Sequence, residues 1–430
     1  MPAQQTRTSP FAPYTLPEPM RAPAPKPAEP PPSPPPPKSF AERVQRRLHP
    51  NKIDELSRFL PDAREAQRRT GKSLLKQMLE IRALARGIGE LTPTDYYQYE
   101  LFDDALTPAG EKWRYVTEKR ILRTAREANA SRQVGMLGDK LIASALYEGL
   151  GVPAPPVYAA YVYGSRQTGR ARRLTTPEEV AAFLRSDAAR YPLFGKPFSG
   201  RRGDGASLID AYDDAHDRLL LASGESIPVE EYVQRWPEAN VRRLAYWKPN
   251  NAGYLFQAKS AQHPVLDALT GGRVAAIRLC IVLMPDGPLL HRVTWKLPVG
   301  GSMTNHVIGA SGNIRCWVDP SSGRVISARR GPTTTDTPFA ALGLFGTPIE
   351  EHPDTGAPLI GFEIPGWHCF VNECLTLSLL FPAIRYQSWD VTLGPDGPLV
   401  LEINTLGGAA QVPGEVGVLD ETWMAFERTL

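Results

Sequence analysis

From Ser39 to about Arg86, apolar residues recur at three- and four-residue steps, most clearly at Leu74, Leu75, Met78, Leu79 and Ile81. That spacing predicts helix, and Gly87 and Gly89 end the run. Two Thr-Pro pairs predict further helix starts: Thr92-Pro93 ahead of Asp95-Tyr96-Tyr97-Gln98-Tyr99, and Thr107-Pro108 ahead of a helix from Glu111 to Ala128. The threonine oxygen accepts a free backbone N–H, and proline in the first turn loses nothing by lacking one. After Gly135 the texture changes. A helix from about Asp139 to Leu150 stops at Gly151, and Val157-Tyr158-Ala159-Ala160-Tyr161-Val162-Tyr163 reads as a strand. Thr176-Pro177 opens a short helix, and Tyr191-Pro192-Leu193-Phe194-Gly195-Lys196-Pro197 is a strand carrying one lysine. Strands then predominate as far as Asn404, with helices near 228–243 and 366–384.

Length predicts two or three domains, since 430 residues exceed one ordinary core. Proline is unevenly spread: fifteen of the 43 fall in the first 38 residues. That segment cannot bury a core and reads as a flexible, polyproline-like tail, either a spacer or a tether for a proline-reading partner. Residues 41–90 carry a basic surplus of five, leaving 91–430 slightly acidic. Few aromatics interleave with those bases, so a solvated helical face is the default and nucleic acid the lesser alternative. No apolar run is long enough to span a membrane, and the N-terminus lacks the order of a secretory signal. Cys280, Cys316, Cys369 and Cys374 form no C-x-x-C pair and read as reduced core thiols of a cytoplasmic protein.

Candidate chemistry concentrates near the C-terminus. Trp389-Asp390-Val391 and Leu399-Val400-Leu401-Glu402-Ile403-Asn404 flank a Gly394–Pro398 turn, which predicts a hairpin. Glu402 and Asn404 then share one face, with Asp390 beside them across the hairpin. Two carboxylates and an amide oxygen on a rigid sheet suit Mg²⁺. Upstream, Lys196 runs into Ser199, Gly200, Gly203 and Gly205, a lysine-and-glycine combination suited to polyphosphate. It is not a P-loop, because the lysine precedes the glycines. Arg278 sits inside the apolar run 275–283 and needs a charge partner, for which a phosphate and a structural carboxylate stand equal. Thr294-Trp295-Lys296 and Met303-Thr304-Asn305-His306 each place polar groups at the end of an apolar strand. The histidines lack zinc-type spacing. Tyr96, Tyr97, Tyr99 and Phe102 fit a packed helix face.

Taken in order, these pieces resemble the ATP-grasp superfamily, and within it the branch associated with sugar transfer. The resemblance runs over roughly residues 90–410. It is carried by Gly138-Asp139-Lys140 with Gly151-Val152-Pro153, Phe194-Gly195-Lys196-Pro197 with its glycine loop, Gln262-His263-Pro264 and Ile277-Arg278. Asn305 with Gly309, Gly312-Asn313, Val318-Asp319-Pro320 with Gly323, and His352-Pro353-Asp354-Thr355-Gly356 continue it. Ile364-Pro365, Trp389-Asp390 and Glu402-Ile403-Asn404 close the series. The resemblance implies an α+β fold in which two lobes clamp ATP. A small lobe would cover about 155–260 and a central lobe about 265–430 of an ATP-grasp domain at 129–430. A helical region at 41–128 and the proline-rich tail at 1–40 would precede it. By position, Lys196 would contact the α- or β-phosphate, with Lys140 assisting. Ser199, Gly200, Gly203 and Gly205 would form the phosphate loop. Arg278 would face the γ-phosphate, with Lys296 and Asn305 on the phosphate side, and Asp390, Glu402 and Asn404 would hold Mg²⁺. The adenine hinge is either Tyr254-Leu255-Phe256-Gln257, the preferred choice with Phe256 and Gln257 as contacts, or Val229-Glu230-Glu231-Tyr232-Val233. Gln257 stands where an acidic ribose ligand is common. The implied activity is an ATP- and Mg²⁺-dependent carboxylate–amine ligase acting on small molecules. A phosphotransferase and a non-catalytic ATP-binding scaffold are the alternatives.

Overall fold

The computed structural model describes residues 59–200, 203–247, 252–302, 312–332, 346–409 and 411–430. The proline-rich tail, the Arg201-Arg202 pair and Asn305 therefore lie outside the described residues. All that is described belongs to one compact unit, 55–430. Three helices come first: α1 (Leu60–Thr70), α2 (Leu74–Arg86) and α3 (Pro93–Gln98). The single helical run expected up to Arg86 is broken at Gly71, where φ of +72° closes α1 and its N–H bonds the Gln67 carbonyl. Ser73 then caps α2 by accepting the Lys76 N–H. Thr92 and Asp95 form a reciprocal capping box on α3.

The helix expected from Thr107-Pro108 does not form there. A single tight turn at Lys112–Arg114 is followed by extended chain, and α4 (Glu118–Ala128) starts from Thr117 instead. The reason is tertiary. Tyr115 and Val116 are fully buried, and both backbone groups of Val116 bond the Gln411 amide from the far end of the chain. A continuous helix would have used those groups itself. Two short helices, α5 (Ser131–Leu137) and α6 (Lys140–Leu150), lead into the first lobe.

That lobe is built from β1 (Val157–Val162), β2 (Arg172–Leu174), α7 (Pro177–Leu184), β3 (Leu193–Pro197), β4 (Ser207–Asp213), β5 (Arg218–Leu221) and β6 (Ser226–Pro228). It continues through α8 (Val229–Val233), α9 (Ala239–Trp247) and β7 (Gly253–Ala258). The helix expected over 228–243 is split by a π-type turn at Gln234–Glu238, where Pro237 supplies no N–H to the ladder. The strands order as β2-β1-β7-β3-β4-β5-β6. Tyr254 and Phe256 point from β7 into a core with Phe183 and Tyr232 of the helices, while Leu255 packs on the other face with Leu141 and Phe198.

The second lobe contains α10 (Pro264–Thr270), β8 (Ala276–Met284), β9 (Gly287–Leu297), β10 (Ile314–Val318), β11 (Val325–Arg330) and β12 (Thr347–Pro348). It is completed by α11 (Trp367–Ser378), β13 (Tyr386–Gly394), β14 (Gly397–Asn404) and α12 (Glu421–Glu427), with strand order β12-β11-β10-β9-β8-β13-β14. Alternation decides its two faces. Ile277, Leu279 and Ile281 of β8 join Trp295 and Trp389 in the main core under Trp367 and Phe370 of α11. The intervening residues Arg278 and Cys280 face the other way. At one end that second face is apolar and covered by Ile121 of α4 and Trp423 of α12. At its other end it carries charge. Cys369 is a correction to the thiol reading: it lies exposed on α11, whereas Cys280, Cys316 and Cys374 are buried.

The N-terminal helices dock on this same sheet. Tyr96, Tyr97 and Phe102 form one cluster with Trp317 of β10, and Glu100 receives Arg329 of β11 at 2.8 Å in a buried pair.

Candidate active site

Strand pairing assembles the charged row. In the antiparallel ladder Asp390 lies directly opposite Arg278 on one side and Glu402 on the other. Arg315 lies opposite Lys296 one strand further on. Directly paired residues project to the same face, and Lys296 pairs with Ala276, two residues from Arg278, so Glu402, Asp390, Arg278, Lys296 and Arg315 form a band across five strands. A bulge sharpens the arrangement: Asp390 pairs with Glu402 but Val391 with Val400, leaving Leu401 as the extra residue.

Asp390 is the hub of the band. The Arg278 guanidinium donates from Nε at 2.8 Å and from Nη2 at 2.6 Å to its two oxygens, and Lys296 Nζ donates at 2.8 Å. Arg278 thus has the structural carboxylate that was one of its two expected partners. Burial pushes the Asp390 carboxyl up, but the charges and hydrogen bonds of the two cations outweigh it and hold the group well below the usual carboxylate range. Burial brings Lys296 down to about 8, with Asp390 opposing the fall and Arg278 adding to it. Arg315, buried and repelled by Arg278, is lowered to about 10.

On the neighbouring lobe, Lys196 stands opposite Leu255 on β3 and so shares its face. Burial lowers Lys196 to about 8, with the Glu402 charge opposing and the Lys140 charge assisting. Lys140 links the lobes directly: its Nζ is 3.5 Å from a Glu402 oxygen and donates to the Gly200 carbonyl at 3.2 Å. Its backbone N–H bonds the Phe198 carbonyl, tying the start of α6 to the exit of β3. Gly203 and Gly205 both have positive φ, and a Cβ on Gly205 would lie 2.4 Å from Asn240 Oδ1.

Of the two hinge choices, 229–233 is helix α8 and 254–257 lies in the interior strand β7. Within β7 the expectation for Phe256 needs correction. Its ring sits 5.5 Å from Phe183 and 5.3 Å from Tyr254 in the core, on the face away from Lys196. Gln257 pairs with Phe194 and lies on the Lys196 face. Several other motif residues prove to be braces. The Gln262 amide bonds Thr270, Arg273 and the Ala275 N–H. His263 Nδ1 accepts the Val265 N–H at the start of α10. His352 and Asp354 hold the Pro298-Val299-Gly300 corner through Pro298 O and Gly300 N–H. The Pro153 carbonyl receives Val400 N–H beside the bulge.

Three residues that position the site were missed from the sequence. Arg315 carried the same signal as Arg278, a cation inside the apolar strand Ile314-Arg315-Cys316-Trp317-Val318. Tyr147 accepts the Ile403 N–H with its hydroxyl, and Asn129 bonds Tyr386 and Thr405 backbone groups, pinning both ends of the β13–β14 hairpin. No local pattern announces either contact.

The donor set bears on the metal. Asp390 and Glu402 are cross-strand partners, and Asn404 follows two residues later on the same face. Carboxylate and amide oxygens are the hard donors Mg²⁺ takes. Among the described residues no group of three His, Cys, Asp or Glu side chains gathers, so a cation here would draw its remaining ligands from the substrates or water. The residues present fit such an ion.

No curated protein matches the chain. Solved structures with some likeness include a D-alanine–D-alanine ligase from Bacillus anthracis, at 15% identity and TM-score 0.32 over 64% of this chain and 59% of that one. An L-amino acid ligase from Bacillus licheniformis matches at 11% identity and TM-score 0.32 over 64% of this chain and 44% of that one. A phosphoribosylamine–glycine ligase from Thermotoga maritima matches at 12% identity and TM-score 0.38 over 70% and 57%. The matches thus span about half the length of those chains. The family described as sugar-transfer associated ATP-grasp matches residues 120–423, and this range takes in the whole charged row, Lys140, Lys196 and the glycine loop. The chain belongs to the sugar-transfer associated ATP-grasp family.

Proposed function

We propose that the protein is an ATP- and Mg²⁺-dependent ligase that joins a carboxylate to an amine. The observation that carries this reading is the Asp390–Arg278–Lys296 cluster beside Glu402, with Lys140 of α6 reaching Glu402. Lys196 and Lys140, with Ser199, Gly200, Gly203 and Gly205, would bind the phosphates of ATP. Asp390, Glu402 and Asn404 would hold Mg²⁺, which supplies charge neutralisation between phosphate oxygens. Arg278 and Lys296 would stabilise negative charge building on the transferred phosphoryl group. A substrate carboxylate oxygen attacks the γ-phosphorus and ADP leaves. The amine nitrogen then attacks the acyl carbon, loses a proton and expels phosphate. No nucleophilic side chain is needed, because positioning and electrostatics carry both steps. The glycine loop would exclude water from the acyl-phosphate.

The test is incubation of the full chain with ATP, Mg²⁺ and pooled carboxylates and amines, followed for ADP, phosphate and product mass. Matched ADP and phosphate release with an amide product supports the ligase. ADP release with a phosphorylated acceptor and no free phosphate means a kinase instead.

A further inference from the structure

Helix α2 carries an apolar stripe turned away from the protein. Leu75, Met78 and Leu79 are 67%, 55% and 59% exposed, and Ile88 just beyond the helix is 53% exposed. The inward face is settled by other residues: Gln77 is buried and bonds the Ala63 and Lys72 carbonyls, and Glu80 turns toward Lys72 and Tyr96. The stripe is therefore not a core face that failed to pack. It is a second face, on the opposite side of a helix whose first face is already docked.

Its surroundings are basic. Lys76, Arg82 and Arg86 are exposed among the apolar residues, and Leu75, Leu79, Arg82 and Arg86 follow the i, i+4, i+7, i+11 spacing of one helix side. None of the three bases carries an ion pair among the described residues, where many other arginines do. The two carboxylates nearest in sequence are committed elsewhere, Glu80 to Lys72 and Glu90 to Arg123. Among the described residues, the outward side of α2 thus combines exposed apolar side chains with bases that carry no ion pair, and no acid joins them.

We propose that this face is an interfacial docking surface for an anionic lipid bilayer, with α2 lying flat and Leu75, Met78 and Leu79 entering the headgroup–acyl boundary. Thirteen residues give an axis about 20 Å long, enough for a lateral contact and far short of a span. Long basic side chains can bury their stems beside the leucines and keep their charges at the headgroups. Charge complementarity selects the lipid. A neutral bilayer offers these bases nothing, whereas each base near an anionic surface contributes roughly fivefold to partitioning. Lys76, Arg82 and Arg86, part of the basic surplus read from residues 41–90 as an ordinary solvated face, thereby acquire a use.

The experiment is sedimentation of the full chain with vesicles of phosphatidylcholine alone and of phosphatidylcholine mixed equally with phosphatidylglycerol. The chain should pellet with the mixed vesicles, remain free with the neutral ones, and be released by high salt. Leu75→Glu with Met78→Glu and Leu79→Glu should lower partitioning by about tenfold or more, as should Lys76→Glu with Arg82→Glu and Arg86→Glu. The second set leaves every apolar contact in place, so it answers the question even if the first set folds poorly. Failure to bind mixed vesicles overturns the proposal, as does binding that both variants retain. A concentration-dependent dimer lost in the apolar variant, without vesicle binding, overturns it in favour of a second copy of the chain.

Discussion

Asp390→Asn tests whether one carboxylate holds the charged band together. The substitution keeps the shape but deletes the charge that receives Arg278 at 2.6 and 2.8 Å and Lys296 at 2.8 Å. Removing one partner of a buried ion pair typically costs about 3–5 kcal/mol, because the remaining charge stays buried and uncompensated. Here two cations are stranded, yet the Arg278 side chain is 25% exposed and solvent relieves part of its loss. The lower end, about 3 kcal/mol, is therefore the expected cost, roughly a hundredfold in the folded-to-unfolded ratio. Adding Lys296→Met removes one stranded cation and should restore about 1–2 kcal/mol. Urea unfolding followed by tryptophan fluorescence reads the effect, since Trp389 and Trp295 are fully buried next to the substituted positions. The difference from wild type should be complete at neutral pH and shrink only below about pH 3.9, where the unfolded carboxyl protonates. A loss under about 1 kcal/mol, or a double variant no more stable than the single one, would refute the reasoning.

Glu402→Gln should leave the fold intact, because this side chain is 37% exposed and among the described residues its one ion pair is to Lys140 at 3.5 Å. It should lower Mg²⁺-dependent ATP turnover by about a hundredfold, measured as ADP release; full turnover would remove Glu402 from the metal set. With Lys196 and Lys296 both near 8, the apparent KM for ATP should rise as pH climbs past that value in the free enzyme. Stability should move oppositely. Between about 8 and the ordinary lysine value near 10.4 the unfolded chain holds more protons, so unfolding free energy increases with pH across that window. Lys296, only 10% exposed in its side chain, is the cleaner reporter, because Lys196 keeps some contact with solvent; a Lys296→Met variant should flatten the rise in urea titrations at stepped pH. Gly205→Ala places a methyl 2.4 Å from Asn240 at a φ of +75° and should cost about 1–3 kcal/mol while raising KM for ATP more than it changes kcat; unchanged stability and KM would free the loop from that constraint.

How much of this was legible beforehand depended on range. Arg278 stands out within its own strand, and Glu402 with Asn404 shares a face by simple alternation, so both were visible locally. Its carboxylate lies 112 positions away, and nothing local says that β8 and β13 pair in the register that joins them. The Phe256 error has a similar origin. All of Gly253–Gln257 is buried, so alternation gave no signal about which face meets the lysine and which meets the helices. Thr107-Pro108 has sound capping chemistry but lost to Gln411, a partner that lies 295 residues downstream of Val116 and holds it extended. The leucines of α2 matched helical spacing correctly, yet spacing alone does not say which of two apolar sides a helix will bury.

The triple contact at Asp390 also sets how ligands of opposite charge influence one another. With no competitor, Asp390 occupies Arg278 and Lys296, so an incoming anion must share these donors with a resident counterion. A cation that draws on the charge of the Asp390 oxygens weakens their hold on both donors. Binding of the cation and binding of the anion are then thermodynamically coupled, and reciprocity requires each to strengthen the other by the same factor. The cleft would hold bare nucleotide weakly and bare metal weakly, and only the two together well.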